Sequence, residues 1–330
     1  MPSPRVAVLV DRDLPPNITE IARLAEVRTA RADGLDAVLD GADVLLAWDF
    51  RTPALAEAWA SANRLRWVHT ASAGVDNVLT PSVAASAVTV TNSRGVFDSA
   101  IAEYVLGLVL AFAKDLAGTW DRQRRRVWEH RETERVAGTT AVVVGVGPIG
   151  RAIARLLRAV DMRVLGVGRT ARDDDPDFGV VTASTDLARL LPEADYVVLA
   201  APLTEKTRGV VGATELAAMR PTARLINVGR GELVDEAAIV DSLRAGRIGG
   251  AALDVFEREP LPPGSPLWTL PRVLVSPHMS ADAFGWREQL AELFLDNLHR
   301  WCAGEPLRNV VDKDLGYVPT GSMQPEEEGT

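Results

Sequence analysis

An arginine, two glutamates and a histidine stand out because each follows closely on an apolar run. Arg230 lies between Gly229 and Gly231 after Leu225-Ile226-Asn227-Val228. Glu257 and Glu259 follow Ala252-Leu253-Asp254, and His278 follows Val273-Leu274-Val275-Ser276. A histidine can hold a proton near neutral pH and give it up, and a neighbouring carboxylate favours the charged ring. A guanidinium offers a planar fork to a carboxylate and polarises a carbonyl. Arginine, glutamate and histidine together suit a reaction in which a hydride reaches a ketone carbon and a proton reaches its oxygen. Singly, a strand-end Arg, Glu or His is more often a structural hydrogen-bonding group.

A hydride needs a donor, and the sequence holds a turn suited to one. Ala141-Val142-Val143-Val144 runs into Gly145-Val146-Gly147-Pro148-Ile149-Gly150, and a helical segment follows from Arg151 to Ala159. In G-x-G-x-x-G the first glycine makes a tight turn, the second lets a pyrophosphate approach the backbone, and the third lets helix and strand pack closely. The helix N-terminus presents free amides and a positive dipole end to phosphate. A second strand, Arg163–Val167, follows at the spacing of a strand–helix–strand unit, which favours dinucleotide binding over a bare glycine-rich turn. Pro148 removes one backbone donor; the Gly147, Ile149 and Gly150 amides remain.

At the end of that second strand a carboxylate would bond the ribose 2′-hydroxyl of NAD, whereas arginine suits the 2′-phosphate of NADP. Here the sequence reads Gly168-Arg169-Thr170-Ala171-Arg172, with no acid before Asp173. Two guanidiniums and a hydroxyl favour NADP(H) over NAD(H). The alternative is that Arg169 and Arg172 are ordinary solvated side chains.

The elements that must position these residues are short β-rich runs alternating with helix-period segments. Val6–Val10, Val44–Trp48, Trp67–Thr70, Ala141–Gly145, Arg163–Val167, Tyr196–Ala200, Arg224–Val228 and Val273–Ser276 read as strands. Several are apolar throughout, as in parallel sheets covered on both faces. The expected class is α/β with two separate blocks. A long helix is expected over Ser99–Leu116, with an apolar stripe and Asp98 or Ser99 as its cap. The arm that follows, residues 119–135, carries six arginines and four acids between Asp121 and Arg135 and reads as a solvated or subunit-contacting segment. The last fifteen residues, 316–330, have no apolar period and read as a mobile tail.

Composition excludes several classes. The chain has 330 residues and a net charge of −9, so a nucleic-acid partner is not expected. No uncharged apolar run approaches the roughly 20 residues of a membrane span. The N-terminus lacks the layout of a cleavable signal, and a cytoplasmic location is expected. Cys302 is the only cysteine, which rules out an intrachain disulfide, a cysteine-rich zinc site or an iron–sulfur cluster, and no metal is expected.

Taken together, the stretches TNSRGVFDSAIAEYVLGLVLA (91–111), GVGPIG (145–150), APLTEKTRGVVG (201–212), INVGRGELVDE (226–236), GAALDVFEREPLP (250–262) and VSPHMS (275–280) resemble the D-isomer-specific 2-hydroxyacid dehydrogenases. The likeness spans nearly all of residues 1–315 and leans toward the NADPH-using glyoxylate/hydroxypyruvate reductase branch. It implies a catalytic triad of Arg230, Glu259 and His278, with Glu259 rather than Glu257 orienting the ring. It implies that Gly145, Gly147, Pro148, Ile149, Gly150, Arg169, Thr170, Arg172, Pro202, Thr207, Val228, Gly229, Arg230 and Asp254 line the dinucleotide. Substrate contacts would come from Arg230, His278, the Ala73 and Gly74 amides of the loop Thr70–Asn77, and Trp48. Arg51 also follows that strand, whereas His69, His130 and His299 read as structural or surface residues.

The implied fold is a Rossmann dinucleotide domain (98–282) inserted into a flavodoxin-like substrate domain (1–97 plus 283–315), with the active site in a cleft that closes on a hinge. Gly168 departs from relatives that carry an acid there and use NAD. The implied activity is NAD(P)H-dependent reduction of a 2-oxoacid to the D-2-hydroxyacid by a homodimer. A dinucleotide-sensing regulator or scaffold with little turnover is the competing expectation.

Overall fold

The computed structural model describes residues 3–319. The chain separates into two compact units, one built from the segments up to Val96 and from Phe284 onward, the other from Phe97–Ala283.

The first unit holds a five-stranded parallel sheet in the order β2-β1-β3-β4-β5. Its strands are β1 (Arg5–Leu9), β2 (Glu26–Ala30), β3 (Val44–Ala47), β4 (Trp67–Thr70) and β5 (Thr89–Thr91). The central strands are buried along their whole length, as expected for β-branched and apolar runs covered on both faces. The helix Trp286–Ala303 belongs to this unit and is bounded by Gly285 and Gly304, both left-handed. Trp67 stacks on its Phe294 and Trp301.

The second unit holds an eight-stranded sheet in the order β13-β12-β11-β10-β6-β7-β9-β8. The strands are β6 (Thr140–Val144), β7 (Arg163–Gly168), β8 (Arg172–Asp175), β9 (Gly179–Ala183), β10 (Tyr196–Leu199), β11 (Arg224–Asn227), β12 (Gly250–Leu253) and β13 (Val273–Val275). All pairings are parallel except β8 with β9, which adds one antiparallel edge to the expected parallel sheet. The chain leaves β6 toward β7 on one side, and β10 lies on its other side. Such a reversal of strand order opens a crevice at the carboxyl ends of the strands.

Three expectations are corrected. The long helix runs only from Asp98 to Ala113, and a second helix, Leu116–Arg124, begins after a break. Asp115 causes the break: it adopts a left-handed backbone (φ 45°) and its carboxylate accepts the Gly118 amide. Neither Asp98 nor Ser99 is the cap. Phe97 takes that position, and Asp98 lies in the first turn near the positive end of the helix dipole. The last fifteen residues do not loosen at Gly316. Val318 is buried, and the Arg94 guanidinium donates to the Val318 and Pro319 carbonyls. The rest of that stretch, 320–330, lies outside the described residues.

The charged arm pairs its charges within itself and with neighbouring segments. Arg122 bonds Glu129, Arg131 bonds Asp115, and Arg224 of β11 grips Glu134 with both terminal nitrogens. Among the described residues no helix is long and apolar enough to cross a membrane.

Candidate active site

The second unit brings most of the singled-out residues to one edge of its sheet. Because β6, β7, β10, β11, β12 and β13 are parallel, the segments leaving their carboxyl ends share that edge. The glycine turn leaves β6, Arg169–Arg172 leave β7, Pro202 and Thr207 follow β10, and Val228–Arg230 follow β11. Asp254 and Glu259 follow β12, and His278 follows β13. Gly145 packs so closely that a Cβ would sit 2.6 Å from the Ala200 and Ala201 backbone. A Cβ on Gly229 would lie 3.1 Å from the Ala201 carbonyl oxygen, and one on Gly231 would overlap the Phe256 carbonyl. These contacts join the segments after β6, β10, β11 and β12 into one surface.

His278 and Glu259 meet directly. The ring Nδ1 lies 2.8 Å from Glu259 Oε2, and the other carboxylate oxygen accepts the Phe256 amide at 3.0 Å. With Nδ1–H donating to the carboxylate, the ring's Nε2 is the nitrogen left to exchange a proton with a substrate. The two side chains are 43% and 36% exposed, so a small molecule can reach them. Burial pushes the Glu259 carboxyl up. The His278 bond and charge, the Phe256 amide and the nearby Arg230 charge outweigh it and hold the group below its ordinary value of 4.5. Arg230 is further steadied by a 2.8 Å bond from its Nη1 to the Gly229 carbonyl.

His278 has a left-handed backbone (φ 51°), an uncommon state for a residue with a side chain. Asp254 holds it there. This buried acid follows β12; its carbonyl accepts the His278 amide at 2.8 Å, and its carboxylate accepts the Met279 and Ser280 amides and the Ser276 hydroxyl. Tyr104 adjoins the same cluster, its hydroxyl pushed up by burial, lowered by a bond to Ser276 and raised by the Asp254 charge. Asn227 does for the β11 segment what Asp254 does for the β13 segment: its side chain accepts the Gly229 amide and donates to the Arg230 carbonyl. Neither Asn227 nor Tyr104 is distinguishable in the sequence as a site residue. Asn227 is the one polar residue in the run Leu225-Ile226-Asn227-Val228, a signal that could have marked it.

The glycine turn fits a dinucleotide pyrophosphate. Gly145 has φ +110°, and a Cβ on Gly150 would overlap the Gly145 carbonyl oxygen. A Cβ on Gly147 would meet nothing within 4 Å, so the backbone is open there, over the N-terminus of the helix Pro148–Ala159. Pro148 stands at the first helical position, where a missing N–H costs no intrahelical bond. Thr207 ties down the segment after β10, donating to the Pro202 carbonyl at 2.7 Å and accepting the Thr204 amide. Val228 is buried, its amide bonded to the Leu199 carbonyl. Ala substituted for Gly150 is expected to abolish dinucleotide binding, because the methyl would force apart the helix and the turn. Equilibrium titration with a reduced dinucleotide checks this; unchanged affinity would contradict the packing role.

At the end of β7 no side chain has room at position 168. A Cβ there would lie 2.8 Å from Val146 Cγ2 and 3.1 Å from Val181 Cγ1. Arg169 and Thr170 are exposed. Arg172 is not simply solvated: its Nε and Nη2 donate to Asp175 at 3.0 and 2.7 Å.

Trp48, Ala73 and Gly74 belong to the other unit, after β3 and β4. Trp48 is nearly buried. In the loop Thr70–Asn77, the Ala73 carbonyl accepts Asn92 and the Gly74 carbonyl accepts Ser72. The Ala73 and Gly74 amides donate to nothing among the described residues, which leaves two adjacent donors for an anion. His69 is structural: it is fully buried, bonds Thr91 and Ser93, and burial drives its ring down to about 3. His130 and His299 are exposed.

The chain is similar to several known proteins. Residues 106–280 match the family profile described as D-isomer specific 2-hydroxyacid dehydrogenase, NAD binding domain. The chain is 36% identical over 271 residues to a glyoxylate reductase of Thermococcus gammatolerans, covering 79% of this chain and 80% of that one. Among solved structures, it resembles a D-isomer specific 2-hydroxyacid dehydrogenase of Xanthobacter autotrophicus Py2 in complex with NADPH and MES, with TM-score 0.82 and 32% identity over 96% of this chain and all of that one. It also resembles an NADPH-dependent glyoxylate/hydroxypyruvate reductase of Sinorhizobium meliloti in complex with NADP and sulfate, with TM-score 0.81 and 29% identity over 96% and 100% of the two chains.

Proposed function

The chain belongs to the D-isomer specific 2-hydroxyacid dehydrogenase family, and from that premise we propose how its own residues carry the reaction. It is an oxidoreductase that uses a nicotinamide dinucleotide to reduce a 2-oxoacid to the D-2-hydroxyacid. A regulator with little turnover is not favoured. The observation that carries the proposed mechanism is the hydrogen bond between His278 and Glu259 at the strand edge that also bears the glycine turn.

When bound, the reduced dinucleotide supplies the hydride for the carbonyl carbon. Gly145, Gly147, Ile149 and Gly150 would hold its pyrophosphate. Pro202, Thr207, Val228, Gly229 and Asp254 would line its length, and Arg169, Thr170 and Arg172 its ribose edge. His278, protonated, donates from Nε2 to the carbonyl oxygen of the oxoacid. Glu259 accepts Nδ1–H throughout, which keeps the ring oriented. Arg230 draws electron density toward the carbonyl oxygen and grips the substrate carboxylate.

The finer readings are a small substrate such as glyoxylate or hydroxypyruvate, and NADPH as the preferred cofactor. The crowded position 168, where an acid has no room, and the guanidinium at Arg172 support the cofactor reading. Mixing the protein with NADPH or NADH and a panel of 2-oxoacids, while following nicotinamide absorbance, tests both. Glyoxylate and hydroxypyruvate are expected to be turned over with kcat/KM about tenfold or more higher for NADPH, since a charged hydrogen bond is worth that much. Flat traces across the panel would overturn the enzyme reading; a clear NADH preference would overturn only the cofactor.

The homodimer is proposed on the arm. Trp120, Val127 and Trp128 are exposed on it, Trp128 completely. Tryptophan is costly to leave in water and enriched in interfaces. Sedimentation of the wild type should give twice the chain mass and Trp128→Glu the single mass; a monomeric wild type would refute it. A single thiol and a reduced dinucleotide suit the cytoplasm, the location proposed.

Glu259→Gln tests the pair by pH. The carboxyl sits below its ordinary 4.5, so its charge persists into more acid solution than that of a free glutamate and is lost only as pH falls through the lowered value. Glutamine keeps a hydrogen-bonding group beside the ring but has no carboxyl to titrate. The acid limb due to Glu259 should vanish. A profile that superimposes on wild type would break the proposed coupling.

A further inference from the structure

Beyond the residues that would touch the dinucleotide lies a buried acid that the family reading does not explain. Asp175 ends β8, and its side chain is 1% exposed. Its Oδ1 accepts the Asp177 and Phe178 amides and Arg151 Nη1; its Oδ2 accepts Arg151 Nη2, Arg172 Nε and Arg172 Nη2. The amides of its own turn hold the carboxylate in place, so it acts as a rigid post. Burial alone would push the group up, but the two guanidiniums hold it well below the ordinary carboxylate range.

The two arginines come from different parts of the proposed cofactor site. Arg151 lies in the first turns of the helix Pro148–Ala159, whose N-terminus is set for the pyrophosphate. Arg172 begins β8, just beyond the end of β7. Asp175 bonds the Nε/Nη2 side of Arg172, so the Nη1/Nη2 edge remains for another partner. Nη1 lies 3.9 Å from where a Gly168 Cβ would stand, at the strand end where the ribose is expected. The guanidiniums of Arg151, Arg155 and Arg172 face the carboxylates of Asp175 and Asp177.

We propose that Asp175 is a positioning residue for cofactor selection: by fixing Arg172 against the end of β7 and tying it to the pyrophosphate helix through Arg151, it presets a guanidinium edge for the 2′-phosphate of NADPH. The inference rests on the NADPH reading above. An unrestrained arginine would lose side-chain freedom on gripping the phosphate, and the post removes that cost beforehand. It also explains why a carboxylate near a dianion is tolerated: both its oxygens are already saturated with donors.

The test is the ratio of dissociation constants for NADH and NADPH, read by nicotinamide fluorescence on the full chain. Loss of folded protein would move both constants together, whereas loss of positioning moves the ratio. Asp175→Asn should cut the wild-type ratio about tenfold, and should cut it no further when Arg172 is already alanine. Arg172→Lys keeps the charge but cannot present two edges at once, so it should lose most of what Arg172→Ala loses. This exposed substitution decides the matter if Asp175→Asn does not fold. The proposal is overturned if Asp175→Asn keeps the wild-type ratio, if its effect persists without Arg172, or if Arg172→Lys binds NADPH as the wild type does. A wild type that binds both dinucleotides equally sinks the NADPH reading itself. A wild type that prefers NADPH beside an indifferent Asp175→Asn sinks the positioning role alone.

Discussion

Replacing His278 with glutamine is expected to lower kcat for oxoacid reduction by about 10²- to 10⁴-fold, the usual worth of a positioned general acid. Glutamine fills similar space and its amide can still donate to Glu259, but it has no proton to release. The segment around it should keep its shape, because Asp254 holds it by the backbone: its carbonyl takes the residue 278 amide and its carboxylate takes the next two. Dinucleotide affinity should therefore stay close to wild type, since the glycine turn and the β10 and β11 segments are untouched. Steady-state kinetics with fluorescence titration of the reduced dinucleotide separates the two quantities. A near-normal kcat would mean that the proton comes from elsewhere. A collapse of dinucleotide binding would mean that the substitution had disturbed the fold rather than the acid.

That prediction is legible in the sequence, and the reason is physical. A buried parallel strand must be apolar over its whole length, so its carboxyl end shows as the place where polarity begins. Arg230, Glu259 and His278 each stand just beyond such a change, and parallel strands bring their ends to one edge. The glycines were legible for a related reason: Gly145 and Gly150 sit where a single added carbon meets backbone. Between Glu257 and Glu259 the local pattern did not choose. Both follow the same strand, and only the fold brings Glu259 to the ring while Glu257 accepts the Glu236 amide.

The rest was hidden for equally definite reasons. β2 and β8 are edge strands, exposed over much of their length, so EVRTA and RDDD carry no apolar signature. The helix break at Asp115 depends on one residue adopting a left-handed backbone inside a run whose apolar period continues to Leu116. Asp175 is one of four aspartates in Arg172-Asp173-Asp174-Asp175-Pro176-Asp177. Composition cannot say which of them turns inward; the arginine that makes burial tolerable, Arg151, lies on a separate helix. Asp254 is named by the resemblance for the dinucleotide, but that it and Asn227 orient catalytic segments by accepting backbone amides shows only in the fold, because the partners are main-chain groups.

Arg230→Lys is expected to cost about 10²- to 10³-fold in kcat/KM, on the scale of removing one donor from a developing oxyanion. The loss should divide between kcat and KM, because the proposed guanidinium both polarises the carbonyl and holds the carboxylate. Lysine keeps the positive charge but is a point donor without the planar fork. It also cannot reproduce the restraint on Arg230, whose Nη1 is tied to the Gly229 carbonyl. The pH profile isolates fork from charge. Arg230 is one of the influences holding the Glu259 carboxyl down, so a lysine there should leave the acid limb near its wild-type position. Arg230→Gln removes that charge, lets the carboxyl rise toward its ordinary value, and should shift the acid limb to higher pH. Rate loss in both variants, with a displaced acid limb only in the glutamine, is the signature of an arginine that acts on substrate through geometry and on Glu259 through charge. A lysine variant with wild-type kcat and KM would reduce Arg230 to a counter-ion and leave the carbonyl without its proposed electrophile.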